Sequence, residues 1–186
     1  TVTSGSHLTL VSMRLHNGGG VPTGGAIEAV DQSSALLVGT TVTDCTSTSL
    51  GSLAEGGAIC LRSSTAVIED SMISNCSASS SAGEASGGAI RLYTSCTTIS
   101  GTAMNDCVAI SSAGTGRGGA MRFSSSSAII CFSSFDQCTT ASSASWVEGG
   151  AMRLWESSAT VTTTIFTRCT ASSSASVARG GGIALS

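Results

Sequence analysis

The chain has 186 residues, a length that suits one domain or one segment of a repeat array. Its formal net charge is -3 and only 10% of its residues are charged, so there is no electrostatic basis for a nucleic-acid partner. No apolar run reaches the roughly 18 residues of a membrane-spanning helix, and we predict no membrane insertion of this segment. Hydrophobic residues make up 41% but aromatic residues only 4%, which predicts a core of small aliphatic side chains.

Glycine pairs recur along the chain at nearly constant distances. Successive pairs are separated by 32 residues once and then by 31 residues four times. The first glycines of these pairs are Gly24, Gly56, Gly87, Gly118, Gly149 and Gly180. The additional residue of the first interval lies in EAVDQSS, where the next repeat has CLRSST. Such a fixed period is typical of a repeat protein whose units stack on one another.

Each glycine pair precedes a short segment in which inward and outward residues alternate. In the repeat that begins at Gly87, Ile90 and Leu92 flank Arg91, as in a strand with one buried face. Farther along the same repeat, Ile99 indicates a second strand and Met104 a third. Three short strands per repeat predict an all-β fold, a parallel β-helix of about six coils, which the crossover rule makes right-handed.

We expect one uncapped domain over residues 1–186, with coils that start near residues 24, 56, 87, 118, 149 and 180. The glycine pair is predicted to mark a tight corner where a side chain would collide with the neighbouring coils. The Ser-rich remainder of each repeat keeps the same register and is interpreted as an ordered side wall. A flexible Ser-rich loop is the alternative interpretation of that segment.

A cysteine follows the third predicted strand in five repeats. We predict that these thiols fill an inward-facing corner and form a core column of Cys45, Cys76, Cys107, Cys138 and Cys169. The other three cysteines, Cys60, Cys96 and Cys131, occupy three different positions in their coils. There is no CxxC motif, and we predict neither a metal site nor a cofactor.

Arginines occupy equivalent positions in three successive repeats. Arg91, Arg122 and Arg153 are expected to stack as an outward surface ladder on a solvated face, and capture of acidic glycans is the functional interpretation of that ladder. A second row of Arg117, Glu148 and Arg179 alternates in sign and predicts a salt-bridge ladder that sets the register.

The repeats resemble those of the chlamydial polymorphic outer-membrane proteins, which carry GGAI and FxxN motifs. GGAI or GGAM stands here at Gly24, Gly56, Gly87, Gly118 and Gly149, and the FxxN counterparts are VTDC, ISNC, MNDC, FDQC and FTRC. Cys thus replaces Asn throughout, and only two of these repeats have Phe. The resemblance covers essentially the whole chain, and it implies a right-handed β-helix in a secreted, surface-exposed, adhesin-like protein.

Several functions remain open at the level of the sequence. The leading hypothesis is an extracellular or cell-surface structural and adhesive solenoid, with self-association and surface glycans as partners. The NCS sequence at Asn75 predicts N-glycosylation, and the part-coils at both ends of the chain suggest head-to-tail stacking into a fibre.

A polysaccharide lyase or hydrolase would use clustered acids, for which Glu69 with Asp70, or Asp106 with Asp136, are the candidates. A carbohydrate-binding β-helix is a third hypothesis, and an ice-binding solenoid with exposed Thr rows is a fourth.

Overall fold

The computed structural model describes residues 1–186, which form short strands and turns without any helix. The strands lie in five sheets, and each strand pairs in parallel with the equivalent strands of the coils next to it. The chain is therefore a parallel β-solenoid of about six turns with a repeat of 31 residues, as the sequence predicted. No helix is long and apolar enough to cross a membrane.

The sheets are numbered here in the order in which one coil passes through them. Sheet I, which follows the glycine pair, contains β3 (Ile27–Ala29), β8 (Ile59–Arg62), β13 (Ile90–Tyr93), β18 (Met121–Ser124), β23 (Met152–Trp155) and β28 (Ile183–Leu185). Sheet II contains β1 (His7–Val11), β4 (Ser34–Val38), β9 (Thr65–Glu69), β14 (Cys96–Ser100), β19 (Ser127–Cys131) and β24 (Ser158–Thr162). Sheet III contains β2 (Arg14–His16), β5 (Thr41–Thr43), β10 (Met72–Ser74), β15 (Ala103–Asn105), β20 (Ser134–Asp136) and β25 (Ile165–Thr167).

Two further sheets lie in the Ser-rich part of each repeat. Sheet IV contains β6 (Thr46–Ser49), β11 (Ser77–Ser80), β16 (Val108–Ser111), β21 (Thr139–Ser142) and β26 (Thr170–Ser173). Sheet V contains β7 (Ala54–Glu55), β12 (Ala85–Ser86), β17 (Gly116–Arg117), β22 (Val147–Glu148) and β27 (Ala178–Arg179). A complete coil thus has five strands, the three predicted ones and two more in the segment interpreted as a side wall.

A column of serine hydroxyls holds the side wall together. Ser80 Oγ donates to the carbonyl of Ser52 in the preceding coil at 2.8 Å and accepts a hydrogen bond from the Gly83 N–H at 2.9 Å. Ser111 repeats this arrangement one coil later, and Ser142 and Ser173 also donate to the coil before theirs. The wall is ordered because each hydroxyl satisfies backbone groups that the turn leaves unpaired.

The core is a stack of matching apolar side chains from sheets I, II and III. Ile90 lies between Ile59 and Met121, and Leu92 between Leu61 and Phe123, and all of them are buried. The rings of Phe135 and Phe166, one coil apart, are stacked with their centroids 4.8 Å from each other. The scarcity of aromatic residues therefore does not prevent a continuous core, because each coil contributes the same small set of positions.

The two glycines of a pair have different structural requirements. Gly87 has a positive φ of 62°, and a Cβ there would collide with the carbonyl oxygen of Ile90 in its own coil. A Cβ on Gly88 would collide with the carbonyl oxygen of Gly119 in the next coil and with the backbone of Val108 in its own coil. The first glycine makes the turn possible, and the second allows neighbouring backbones to approach at the spacing of a sheet.

The additional residue of the first interval lies at the corner between sheets I and II. Ile27 pairs with Ile59, an offset of 32, whereas Ser34 pairs with Thr65, an offset of 31. Two residues of this corner, Asp31 and Gln32, have positive φ, whereas at the same corner of the next coil only Ser63 has it. The insertion is thus absorbed as one more left-handed residue, and both sheets keep their register.

Replacing Gly88 with Ala should destabilise the fold, because the new methyl group meets backbone atoms that cannot move without separating two coils. We expect the free energy of unfolding to fall by about 1–3 kcal/mol or more, as for overpacked sites. Gly51→Ala is the matched control, since no atom lies within 4 Å of a Cβ at that position. Urea unfolding followed by circular dichroism measures both variants, and equal midpoints would contradict the explanation.

Candidate functional site

The glycine corner brings two outward-facing rows of side chains together. The row in sheet V contains Glu55, Ser86, Arg117, Glu148 and Arg179. The row in sheet I contains Cys60, Arg91, Arg122, Arg153 and Ala184. The rows are in contact across the corner: Arg153 Nε donates to Glu148, five residues earlier in the chain, at 2.7 Å.

The predicted surface ladder of Arg91, Arg122 and Arg153 is stacked in register but is not a solvated face. Each of the three residues is only 5% exposed. The alternation within sheet I does point these side chains away from the core, as expected. The strands of sheet V lie beside them, however, so the arginines are buried between the two sheets. Alternation within one strand cannot indicate a second sheet that covers the outward face.

Buried arginines need acidic partners, and four glutamates supply them. Arg91 Nε donates to Glu55 at 3.1 Å, and Arg62 contacts Glu55 at 2.5 Å and Glu28 at 3.3 Å. Arg122 and Arg117 both bind Glu84, the latter at 2.5 Å. The row predicted to alternate in sign is thus part of a larger ion-pair network across the corner.

Glu148 is the centre of the last part of this network. Its carboxylate lies 2.7 Å from Arg153, 3.6 Å from Arg179 and 3.8 Å from Arg117. The Glu148 side chain is 6% exposed, so these contacts are poorly screened by water. One carboxylate is therefore shared by three guanidinium groups, which leaves an excess of positive charge around it.

A cleft with a volume of about 390 Å³ opens beside Glu148. Its lining comprises Arg117, Arg122, Trp146, Glu148, Arg153, Trp155, Arg179 and Ser186. Both tryptophans are 41% exposed, and the guanidinium carbon of Arg117 lies 5.7 Å from the centre of the Trp146 ring. We refer to these eight residues as the arginine–tryptophan cleft.

The arginines of this cleft are not fully neutralised. Burial, and then the charge of Arg153, lowers the pKa of Arg122 to about 10. Burial likewise lowers the pKa of Arg117. The Nε atoms of Arg117 and Arg122 are buried without a hydrogen-bond partner. Unsatisfied buried donors are rare in native structures and are expected where a ligand or water completes the site.

The structure places the five corner cysteines in one column beside the core, and all are free thiols. Each thiol donates to the carbonyl two residues earlier, for example Cys76 to Ser74 at 3.2 Å and Cys107 to Asn105 at 3.3 Å. Contact with the thiol of the preceding coil raises the pKa of Cys76 and of Cys138. Contact with Cys76 lowers the pKa of Cys45 to about 7 in turn. The thiols of Cys76 and Cys138 stay protonated, and the column fills the corner with small groups.

The remaining cysteines lie outside this column. Cys60 is buried in the outward row next to Arg91, and burial raises its pKa to about 12. Cys96 is exposed on sheet II and accepts a hydrogen bond from Ser127, and Cys131 is half-buried on the same sheet. No group of three or more His, Cys, Asp or Glu side chains is arranged to hold a metal ion.

The two candidate pairs of acids are placed differently. Asp136 is bound by Arg168 through both carboxylate oxygens, and this contact holds the pKa of Asp136 below its ordinary value. Asp106 lies at the left-handed corner position, with a φ of 52°, in the row next to that of Asp136. Asp70 has a φ of 47° at another corner, after Glu69 at the end of β9. A positive φ is a turn requirement that Asp meets readily, so the corner acids have a structural explanation.

The hydroxyl rows of the outer faces are irregular. The central row of sheet II reads Thr9, Leu36, Val67, Thr98, Ile129 and Thr160. No row of sheets II, III or IV has Thr in every coil. Asn75, the glycosylation candidate, is exposed at a corner, and its amide nitrogen donates to Asp44.

Two residues that line the cleft, Trp146 and Trp155, were not identified from the sequence. They are the only tryptophans in the chain, and they stand on either side of Gly149. Their positions are not part of the repeating pattern, because the row of Trp155 reads Arg62, Tyr93, Ser124 and Trp155 from coil to coil. A search for recurring residues therefore passes over them, and the signal that could have found them is the presence of both tryptophans at one glycine corner.

Replacing Glu148 with Gln should destabilise the fold, because the buried Arg153 loses its only carboxylate partner, whereas Arg117 keeps Glu84 and Arg179 is exposed. The expected loss is about 3 kcal/mol or more, the usual cost of leaving a buried charge unpaired. Glu156→Gln removes the same charge from an exposed side chain and should change stability by less than about 0.5 kcal/mol. Urea unfolding compares the two, and an unchanged E148Q midpoint would mean that the network is not needed for stability.

No family model matches the chain, and no curated protein or solved structure has a significant match to it.

Proposed function

We propose that this chain is a non-catalytic structural and adhesive β-solenoid that acts outside the cell or at its surface. The observation that carries this proposal is the one-to-one register of every sheet, in which each strand lies on its equivalent from the neighbouring coil. Such a stack gives a stiff rod that lengthens by about 4.8 Å per coil and repeats its outer surface at the same interval. The resemblance to repeats of adhesin-like proteins supports the same role.

The outer faces suit a scaffold that meets water and glycans. They carry short Ser and Thr side chains, such as those of Thr46, Ser77 and Thr139, with few charges.

A polysaccharide-cleaving enzyme is the weaker candidate, because Arg168 binds Asp136 and keeps it ionised and unsuited to donate a proton. An ice-binding solenoid is also weaker, since its regular threonine rows are missing. Carbohydrate binding is compatible with the adhesive role and is favoured by the arginine–tryptophan cleft.

Self-association is the second part of the proposal. In the structure, the outermost strands β1 and β28 have a neighbour on one side only. Unpaired parallel edges can accept another strand of the same register, and we propose that a second copy supplies it. Leu185, which is 74% exposed on β28, would be covered by such a contact.

A charge at this edge should block association. Leu185→Lys is expected to lower the association constant at least about tenfold, because the lysine would have to be desolvated in the contact. Ile129→Lys introduces the same charge at a 53% exposed residue of β19, a strand with a neighbour on both sides, and should leave association unchanged. Sedimentation velocity over a concentration series measures this, with electron microscopy for particle length. Purely monomeric protein at every concentration would refute self-association.

Glycosylation of Asn75 would support an extracellular location. A glycosylated amide keeps one N–H, which suffices for the hydrogen bond from Asn75 to Asp44. We expect the peptide that contains Asn75, taken from protein of its natural source, to be heavier than its bare sequence, and Asn75→Gln to remove the difference. Mass spectrometry of that peptide before and after enzymatic removal of N-glycans is the measurement, and a mass equal to that of the bare peptide would show that Asn75 is not modified.

A further inference from the structure

We propose that the arginine–tryptophan cleft binds a hexuronate residue of an acidic polysaccharide, with the carboxylate on the arginines and the sugar ring against tryptophan. The inference rests on the adhesive part of the proposed function and names the chemistry that such adhesion would use. Its argument comes from the charge of the cleft, its unsatisfied donors, its aromatic walls and its size.

The cleft is built to hold an anion. Four arginines and a single glutamate line it, and even with Glu84, which binds Arg117 and Arg122 from outside the lining, the arginines outnumber the carboxylates four to two. The side chains of Arg122 and Arg153 are only 6% and 5% exposed, so their charges act across a poorly screened environment. An anion that entered the cleft would relieve the mutual repulsion of these guanidinium groups.

The guanidinium group of Arg122 has a donor that forms no hydrogen bond within the protein. Its Nη1 contacts Glu84, with Ser86 Oγ at 3.4 Å, but its buried Nε has no partner. Arg117 also has a buried Nε without a partner. Guanidinium groups pair with carboxylates in a planar, two-bonded geometry, which makes a carboxylate the natural complement to these donors.

The aromatic walls indicate that the anion is attached to a body with a flat apolar face. Trp146 and Trp155 are both partly exposed at the cleft, whereas the preceding coil has Thr115 and Ser124 there. Partly exposed tryptophan offers a broad apolar surface to a ligand, and binding sites commonly combine such surfaces with a few fixed polar groups. The C–H face of a sugar ring fits this surface, and its hydroxyl groups remain in water.

The spacing of charge and ring favours a uronate over a nucleotide. The Arg117 guanidinium carbon lies over the Trp146 ring, 5.7 Å from its centre, so an anionic group bound by Arg117 would be close to the tryptophans. Trp155, which has no such contact with an arginine, is the ring that a sugar would stack against. In a hexuronate the carboxylate is bonded directly to the sugar ring, whereas in a nucleotide the ribose separates phosphate from base. The volume of about 390 Å³ is near the lower end of ligand sites, which suits one or two sugar residues.

Intrinsic fluorescence gives a direct test, because the only two tryptophans of the chain both line the cleft. We expect trigalacturonic acid to change the tryptophan emission saturably, and raised NaCl to weaken its binding. The methyl ester of trigalacturonic acid, which has the same rings without the charge, should bind at least about tenfold more weakly. AMP, the nucleotide probe, should not compete.

Matched variants locate the binding by calorimetry. Trp155→Ser installs the residue that the preceding coil already has at this position and should weaken trigalacturonate binding about 3- to 10-fold. Arg179→Ala, at a 59% exposed side chain of the cleft, should weaken it about 2- to 5-fold. Arg168→Ala removes an equally exposed arginine outside the cleft and should leave the affinity unchanged.

The proposal is overturned if trigalacturonate gives no signal at about 10 mM, far above the dissociation constant of a useful site. It is equally overturned if the methyl ester binds as tightly, if AMP binds in its place, or if folded W155S and R179A proteins bind with unchanged affinity. The test of self-association uses no saccharide. A negative result with trigalacturonate would therefore overturn the proposal for the cleft and leave the proposal of a structural solenoid unaffected.

Discussion

The close approach of neighbouring backbones at the glycine corner is the constraint on which the rest of the structure depends. Gly88 lies so near Gly119 and Val108 that a Cβ cannot be placed between them. Only with this approach can sheet V and sheet I run side by side through every coil. The ion-pair network and the arginine–tryptophan cleft exist because the two sheets meet there with their outward side chains in contact. The fold and the candidate site therefore both depend on the glycine pair at this corner.

Much of the fold could be predicted from the sequence because a solenoid converts sequence period directly into spatial position. The glycine pairs, the alternation of Ile90 and Leu92 around Arg91 and the position of the extra residue all indicated the stacking that the structure has. Sheets IV and V could not be identified as strands, since sheet IV is made mostly of Ser, Thr and Ala with little hydrophobic alternation and the strands of sheet V are only two residues long. Their pairing is imposed by the neighbouring coils rather than by local preference.

The candidate site was less predictable for a related reason. Periodicity within one strand shows which side chains leave the core, but it does not show whether another strand lies over them. Arg122 was therefore expected in solvent, whereas it is buried against Glu84, a residue of a segment interpreted only as a wall. The tryptophans were overlooked because repeat analysis emphasises what the coils share. The cleft depends on two positions that differ between coils, where Trp146 and Trp155 stand in place of Thr115 and Ser124.

The corner at Asp31 and Gln32 has a consequence for how such a protein can change. One additional residue enters there as a second left-handed turn residue, and the strands on both sides keep their partners. The chain can therefore gain or lose a residue at this corner without a change in the stacking of the coils. Asp31 and Gln32 are both exposed to solvent and contribute no side chain to the core. A peptide loop grafted between β3 and β4 would project sideways from the solenoid, so the same corner offers a position at which new recognition elements could be added to an unchanged scaffold.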